Sequence, residues 1–367
     1  MTQNQFNSLA IKVIGPHDHS SDELQKFREI ESLVSVLGGK IIVKQIQHRL
    51  FPDESTYIGK GKIEEIKDLI RYSHIRVIIL NDIVNPAQIF RLEKSLWSTD
   101  PNIKVWDRAD VILEIFDKRA HSSEAKLQIE LARMKHLGPR IYGLGGGLLS
   151  RQGGGIGMRG LGETNIEIMK RQIKDKLRLT EEKLKKIIHS RQEKMLYRKK
   201  GGYKTIALVG YTNAGKTTLF NNLTGKTKKV ENAVFTTLDS YVGKLNHQTN
   251  KPILISDTIG FIQDLPPSLI QAFKSTLLET LTADLIYHVI DSSDSEIERK
   301  IEMVNEILAE FNIESNKVVY IFNKIDTISD SKRQLLNRLY PGKSLFVSSA
   351  SGEGINSMLS SIHTIFP

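Results

Sequence analysis

The stretch "TIALVGYTNAGKTTLF", residues 205–220, decides the fold of the C-terminal part of the chain. Its apolar start predicts a strand over Thr205–Val209, and its end opens an amphipathic helix. The residues between them fit G-x-x-x-x-G-K-[ST] in the strand–loop–helix context that this pattern requires. Glycines let such a loop wrap a phosphate chain, so that backbone N–H groups point at negative charge. The predicted phosphate-binding residues are Gly210, Tyr211, Thr212, Asn213, Ala214, Gly215, Lys216 and Thr217.

Two side chains of this loop have predicted chemical roles. Lys216 reaches the β- and γ-phosphates and is a candidate catalytic residue, and the Thr217 hydroxyl binds Mg²⁺. A second loop, "FTTLD", offers another hydroxyl ligand, for which Thr237 is the better candidate and Thr236 the alternative. We count Thr237 among the catalytic residues as well. The nucleotide-binding residues predicted in this loop are Phe235, Thr236, Thr237, Leu238 and Asp239.

The apolar segment "ILISDTIGF" predicts a strand that ends in the hydrolysis machinery. Asp257 is placed to hold Mg²⁺ through a water, and the Gly260 N–H to sense the γ-phosphate, which makes Gly260 a candidate catalytic residue. Thr258 and Ile259 complete this segment of the predicted site. The next residue is Phe261, which cannot orient a water as a glutamine does. We therefore expect slow intrinsic hydrolysis that a macromolecular partner stimulates.

The choice of base is predicted by "NKID" at the end of the strand "VYIF". The Asp326 carboxylate can accept hydrogen bonds from guanine N1–H and the 2-amino group, which adenine lacks. Lys324 can lie over the base, and Asn323 can tie this loop to the phosphate loop. In "FVSSAS", Ser349 and the Ala350 N–H would meet guanine O6. The predicted base-binding residues are Asn323, Lys324, Ile325, Asp326, Ser348, Ser349 and Ala350. These elements in this order predict a GTPase with GTP as substrate, GDP as product and Mg²⁺ as cofactor.

Composition limits the remaining possibilities. The chain of 367 residues carries a formal net charge of +10, which suggests a polyanionic partner. It has no cysteine, which excludes disulfides. No run approaches the roughly 18 apolar residues of a membrane span, and the N-terminus does not resemble a secretory signal. We expect a monomeric, cytoplasmic protein, with peripheral membrane association as the alternative.

Alternating apolar runs and helical patterns predict the organisation of the rest. The first residues alternate strands and helices, which is typical of a small α/β domain with a mainly parallel sheet. Two long helical patterns then predict an antiparallel hairpin, whose second helix we expect to begin at a capping box formed by Thr164 and Glu167. The predicted fold class is α/β. The predicted domains are 1–117 (α/β), 118–200 (hairpin with a Gly-rich loop, 142–163) and 201–367 (P-loop domain with a mostly parallel sheet flanked by helices).

The second hairpin helix is strongly basic. From Lys170 to Lys200 there are 13 Lys/Arg and 4 Asp/Glu. Such a run is often only a solvated helix face. Because this helix precedes a GTPase domain in a chain that is basic overall, we favour the interpretation that it contacts an RNA backbone.

Several quoted segments resemble HflX-type GTPases, of the Obg/HflX branch of P-loop proteins, over nearly the whole chain. They are "PDESTYIGKGKIEEIKDL" (52–69), "DRADVILEIFDKRAHSSEAKLQIELARMKHLGPRI" (107–141), "GGGIGMRGLGETNIE" (153–167) and the FTTLD–DTIGF–NKID series. The resemblance implies an N-terminal α/β domain, a helical hairpin and a G domain. It also implies binding to the large (50S) ribosomal subunit, GTP hydrolysis stimulated by that subunit, and splitting of stalled ribosomes. Leu161 and Asn165 depart from the family pattern, and the extra C-terminal domain of some members is not part of this sequence.

The resemblance gives the Gly-rich segment and the N-terminal domain further expected partners. "GIGMRG" (155–160) fits a dinucleotide-binding pattern but follows no strand, so that interpretation fails. Eleven of the 25 residues in 138–162 are glycine, and we expect this segment to be shaped by rRNA. The predicted rRNA contacts are Arg151, Gly155, Gly157, Arg159 and Gly160.

The resemblance also suggests a second nucleotide site, because some family members bind ATP at the N-terminal domain. In this sequence "YIGKGKIEEI" (57–66) could hold an anion. A solvated helix start or an rRNA contact is the favoured alternative.

Two functions from different classes remain open. The first is an enzyme that couples GTP hydrolysis to splitting or rescue of ribosomes. The second is a GTP-gated assembly factor or scaffold, in which hydrolysis only resets binding.

Overall fold

The computed structural model describes residues 5–16, 20–136, 159–226, 241–246, 252–258, 260–262, 269, 278–342 and 344–366. Within them the chain forms two compact units, and the division passes through both long helices of the hairpin. The predicted division into three domains therefore stays a prediction. No helix in these ranges is long and apolar enough to cross a membrane.

The N-terminal part folds as alternating strands and helices around a four-stranded parallel sheet. The sheet order is β2-β1-β3-β4, so β1 and β3 lie inside the sheet, and most of their residues are buried. Apolar side chains recur at helical spacing on the helices and pack against the sheet, as with Ile63, Ile66 and Ile70 on α2. The elements are β1 (Phe6–Ile14), α1 (Ser20–Val36), β2 (Gly39–His48), α2 (Lys60–Ser73), β3 (Ile75–Leu80), α3 (Pro86–Leu96), β4 (Lys104–Asp107) and α4 (Arg108–Arg119).

Two long helices follow, α5 (123–136 in the described residues) and α6 (Arg159–Lys200). Ion pairs join them in antiparallel order. Glu124 near the start of α5 pairs with Arg191, and Lys135, the residue before the last described one of α5, pairs with Glu181. The predicted helical hairpin is therefore present.

The start of α6 differs from the prediction. The helix begins at Arg159, so Thr164 lies inside it and the expected capping box does not mark its start. The last residues of the predicted loop, 159–163, are helical as well. Extending an established helix by one turn adds backbone hydrogen bonds at low cost, which offsets the poor helix propensity of Gly160 and Gly162. Residues 137–158, with Arg151, Gly155 and Gly157, lie outside the described residues.

The C-terminal part contains a six-stranded sheet of order β10-β9-β8-β5-β7-β6. All neighbouring strands are parallel except β6, which runs antiparallel to β7. Strand β5 lies inside the sheet, so the loop that leaves it emerges between the carboxyl ends of β7 and β8. The elements are β5 (Lys204–Val209), α7 (Lys216–Thr224), β6 (Tyr241–Lys244), β7 (Ile253–Asp257), α8 (Leu278–Leu281), β8 (Leu285–Asp291), α9 (Ile297–Glu310), β9 (Val318–Asn323), α10 (Asp330–Leu339), β10 (Ser344–Phe346) and α11 (Ile355–Ile365). The predicted α/β class and mostly parallel sheet are confirmed.

Candidate functional site

The loop after β5 has a backbone that only glycine can form at two points. Gly210 has φ +146°, and a Cβ there would lie 2.1 Å from the Val289 carbonyl oxygen. Gly215 has φ +91°, and a Cβ there would lie 2.2 Å from Asn323 Nδ2. Helix α7 begins at the next residue, so the N-terminus of α7 faces the inside of the loop. This is the strand–loop–helix arrangement that binds phosphate.

Lys216 lies buried under this loop. Its Nζ donates hydrogen bonds to the carbonyl oxygens of Gly210 (3.0 Å) and Tyr211 (2.8 Å). Burial lowers the pKa of Lys216 to about 8, and the nearby Asp257 carboxylate only partly opposes this. The amine is thus held at the loop, where the oxygens of a bound phosphate would stabilise its charged form.

The shifted pKa predicts that nucleotide binding takes up protons. At pH 8 about half of the free protein has an uncharged Lys216, and a bound diphosphate restores the charge, so GDP binding should take up about half a proton. Affinity should fall as the pH rises above about 8. Calorimetric titration with GDP at pH 8, in two buffers with different ionisation enthalpies, measures the uptake. In Lys216→Arg the guanidinium stays charged, so the uptake should vanish. An equal uptake in both proteins would contradict the assignment.

A histidine on the neighbouring strand stays uncharged. His288 pairs in register with Val209, the last residue of β5, and its side chain is buried. Burial, and secondarily the positive charge of Lys216, lowers the pKa of His288 to about 3. His288 therefore adds no second positive charge behind the loop at neutral pH.

Thr217 and Asp257 form the oxygen pair expected for a magnesium site. Thr217 Oγ1 donates to Asp257 Oδ2 at 3.0 Å, and Asp257 is completely buried at the end of β7. A hydroxyl and a carboxylate are hard oxygen donors of the kind that Mg²⁺ prefers. The residues present fit Mg²⁺, which Thr217 would bind directly and Asp257 through a water.

The segment after Asp257 is fixed against the phosphate loop. Phe261 N donates to the Gly210 carbonyl (3.0 Å), and Thr212 N donates to the Phe261 carbonyl (2.8 Å). A Cβ on Gly260 would lie 2.9 Å from Lys216 Nζ. The Phe261 side chain is 4 % exposed and packs in an apolar cluster with Val209 and Ile286. Phe261 therefore offers the attacking water neither a hydrogen bond nor an accessible side chain.

Asn323 joins three loops of the site. Its Nδ2 donates to the Ala214 carbonyl at 2.8 Å, which is the link to the phosphate loop that the sequence predicts. Its Oδ1 accepts from the backbone N and the Oγ of Ser349, both at 2.9 Å. The Ser349 carbonyl in turn accepts from Asn222 Nδ2 on α7 (2.8 Å). The Ser349 hydroxyl is thus engaged by Asn323 rather than pointing freely at a base.

Lys324 and Asp326 follow Asn323 at the end of β9. Lys324 has φ +61°, and its Nζ lies 2.6 Å from Asp291 Oδ2. Hydrogen bonds from Lys324 and Ser293 outweigh burial and hold the pKa of Asp291 below its usual range. Asp326 and Ala350 are exposed, whereas Ile325 and Ser348 are buried.

Sequence reasoning missed two residues near the loop. Asp291 ends a long apolar strand and pairs in register with Asn323. An acidic residue at the carboxyl end of a predicted strand could have been recognised in the sequence as a candidate site residue. Lys300 on α9 lies over the Tyr211 ring, with its Nζ 4.6 Å from the ring centroid, and also pairs with Asp294. That contact depends on the packing of α9, which the sequence pattern does not reveal.

Some predicted residues cannot be placed. The predicted nucleotide-site residues Phe235, Thr236, Thr237, Leu238, Asp239 and Ile259 lie outside the described residues. Arg159 and Gly160 belong to the first turn of α6.

The second predicted anion site opens α2. The Gly59 N–H donates to Gln47 Oε1 at 3.0 Å, and Lys62 pairs with Glu65. Lys60 is the exposed cation of this turn. An ATP site here stays a prediction.

Three family models match consecutive parts of the chain. Residues 24–117 match the model described as GTP-binding GTPase N-terminal. Residues 119–199 match the GTP-binding GTPase Middle Region. Residues 205–324, which contain the site, match the model described as 50S ribosome-binding GTPase.

Relatives over most of the chain carry one family name. GTPase HflX of Caldanaerobacter subterraneus subsp. tengcongensis is 40 % identical over 309 residues, which are 84 % of this chain and 71 % of the relative. GTPase HflX of Escherichia coli K12 is 35 % identical over 323 residues, covering 88 % and 74 %. The crystal structure of an SsGBP and GDP complex is 25 % identical, covers 98 % of each chain and has a TM-score of 0.50. The phosphate loop, the base-recognition motif and these relatives together establish a GTP-hydrolysing enzyme, and the chain belongs to the HflX family of GTPases.

Proposed function

We propose that this GTPase binds the large (50S) ribosomal subunit and couples GTP binding and hydrolysis to splitting or rescue of stalled ribosomes. The observation that carries the proposal is the match of residues 205–324 to a model described as 50S ribosome-binding GTPase. The net charge of +10 and the basic helix α6 support a polyanionic partner.

The charge on α6 is available to such a partner. Eight lysines and arginines of this helix are exposed, and none of them forms an ion pair with a described residue. They are Arg171, Lys174, Lys183, Lys185, Lys186, Lys194, Lys199 and Lys200. Others are already neutralised, as when Lys176 pairs with Glu130 and Arg178 with Glu182. Exposed cations without an ion-pair partner attract a phosphate backbone without reading its sequence.

The proposal also includes the domain division, the Mg²⁺ ligands, the catalytic and rRNA contacts, the oligomeric state and the cellular location. The family models cover 24–117, 119–199 and 205–324, which supports the boundaries near 117 and 200 of the proposed domains 1–117, 118–200 and 201–367. Mg²⁺, held by Thr217, Thr237 and Asp257, would neutralise charge on the phosphates. Lys216 and the Gly260 N–H would contact the transferred phosphoryl group, and Arg151 and Arg159 would contact rRNA. We expect a monomer that acts in the cytoplasm, where ribosomes are.

A sucrose-gradient experiment separates the proposal from the scaffold alternative. Intact 70S ribosomes are mixed with the protein and GTP, a non-hydrolysable GTP analogue or GDP. We expect conversion to free subunits with GTP and the analogue, and little with GDP. GTP-dependent binding to the large subunit without loss of 70S would favour the scaffold, and no binding would overturn both.

Charge variants connect this result to α6. Replacing Lys183 and Lys186 by glutamate should weaken subunit binding and reduce the slope of its salt dependence by about one unit for each lost phosphate contact. Lys317→Glu, at an exposed lysine outside α6, is the control and should bind normally. Binding that does not respond to salt or to the α6 variant would exclude phosphate contacts by this helix.

A further inference from the structure

Two aspartates and a histidine meet in the compact unit that contains the N-terminal sheet, and none of them belongs to the nucleotide site. Asp107 ends β4, Asp110 lies in the first turn of α4, and His136 is the last described residue of α5. One potential ligand atom from each lies within 4.8 Å of the other two. Asp107 is 0 % exposed, Asp110 6 % and His136 9 %.

Backbone hydrogen bonds fix both carboxylates. Asp107 Oδ1 accepts from Asp110 N (2.8 Å), and Asp110 Oδ2 accepts from Asp107 N (3.2 Å). This is a reciprocal capping box at the start of α4 with aspartate in the third helical position. Asp107 Oδ2 also accepts from Val84 N at 3.1 Å. Such outer contacts orient carboxylates before any ligand binds.

The capping box does not account for the histidine. His136 Nε2 lies 3.2 Å from Asp107 Oδ1 and 3.6 Å from Asp110 Oδ1. The imidazole can hydrogen-bond to Asp107 Oδ1 at this distance, and a cation between the three residues would be coordinated by one atom of each. In a tetrahedral zinc site with bonds of about 2.0–2.1 Å, ligand atoms lie about 3.3 Å apart. The two measured separations lie close to that value.

We propose that Asp107, Asp110 and His136 form a binding site for a divalent transition-metal ion, with Zn²⁺ as the best match. An imidazole nitrogen with two carboxylate oxygens is a donor set that suits Zn²⁺ better than Mg²⁺ or Ca²⁺, which prefer oxygen alone. The ion would join the last described turn of α5 to the start of α4. It would hold the hairpin helix at the point where the chain enters residues 137–158.

Zinc binding to the full chain tests the proposal. Tag-free, chelator-treated protein without nucleotide is titrated with Zn²⁺ against a chromophoric zinc indicator, and thermal unfolding is followed in parallel. We expect one ion per chain, and a Tm about 5 °C higher at a hundredfold excess over Kd. Asp110→Asn and His136→Gln should each lose this ion and the Tm shift.

A matched control removes a different histidine–carboxylate pair. His189 lies 3.6 Å from Glu193 on the exposed face of α6, so His189→Gln tests adventitious surface binding. This variant should keep the ion and the Tm shift. If Zn²⁺ does not bind, or if Asp110→Asn and His136→Gln bind it as the parent does, the cluster is only a hydrogen-bonded helix cap and the proposal is wrong. Should one of the two variants fail to fold, the other decides.

Discussion

Asp326→Asn is expected to lower the affinity for GDP and GTP on the order of 10³-fold and to create affinity for xanthine nucleotides. A carboxylate has only acceptors, which match the N1–H and 2-amino donors of guanine. An amide keeps one acceptor and gains one donor. The N–H donor of asparagine would face the 2-amino group of guanine, which is also a donor, so no hydrogen bond forms there. The 2-carbonyl oxygen of xanthine is an acceptor and can pair with this N–H.

The structure makes this variant suitable for a clean test. Asp326 is exposed and has no hydrogen bond or ion pair with another described residue, so its replacement should leave thermal unfolding unchanged. Asn323, three residues earlier, is buried and joins three loops. A substitution there would change the free energy of unfolding as well as base recognition, so the two effects would not be separated.

Equilibrium titration with fluorescent GDP, and competition by XDP, measures the change of specificity. Asp330→Asn, an isosteric change in the first turn of α10, is the control and should bind GDP as the parent does. If Asp326→Asn binds GDP with parental affinity, Asp326 does not read the base. If Asp326→Asn has a lower affinity for GDP but no affinity for XDP, Asp326 shapes the base pocket and does not form the predicted pair of hydrogen bonds with guanine.

Local sequence was sufficient to predict the phosphate loop. The φ values of Gly210 and Gly215, and the close contacts that any side chain would make there, explain why glycine stands at these positions. The strands could be predicted because buried parallel strands read as continuous apolar runs. The link from Asn323 to the phosphate loop followed from the known order of the two motifs.

What escaped prediction depends on contacts between distant segments. The pair of Lys324 and Asp291 joins the ends of two strands, and the cluster around His136 joins residues 29 positions apart. Neither has a periodic signature. At Thr164 a plausible local capping signal was overridden, because the helix extends past it to Arg159. A capping pattern predicts that a helix can begin at a residue, but not that it does.

The free protein is expected to hydrolyse GTP slowly, because of the residue that follows Gly260. Phe261 occupies the position after Gly260, is buried, and is held by backbone hydrogen bonds on both sides. It cannot orient water, so the free protein should hydrolyse GTP slowly. A partner that orders the site or adds a polar group can raise the rate of phosphoryl transfer by about 10³-fold or more.

Substituting Phe261 tests whether the missing polar group is the cause. Phe261→Gln adds an amide but removes an apolar side chain from its cluster, so unfolding must be measured beside turnover. A folded variant with intrinsic hydrolysis that remains slow would indicate that the partner acts mainly by ordering the loops.

GTP turnover with and without purified 50S subunits shows whether the large subunit stimulates this GTPase. The measurement uses saturating GTP and Mg²⁺, with 30S subunits at the same concentration as the control and Lys216→Ala to exclude contaminating GTPases. We expect slow turnover alone and with 30S, and an increase of about 10³-fold with 50S that Lys216→Ala abolishes. Equal turnover with and without 50S would mean that the large subunit does not stimulate GTP hydrolysis by this protein.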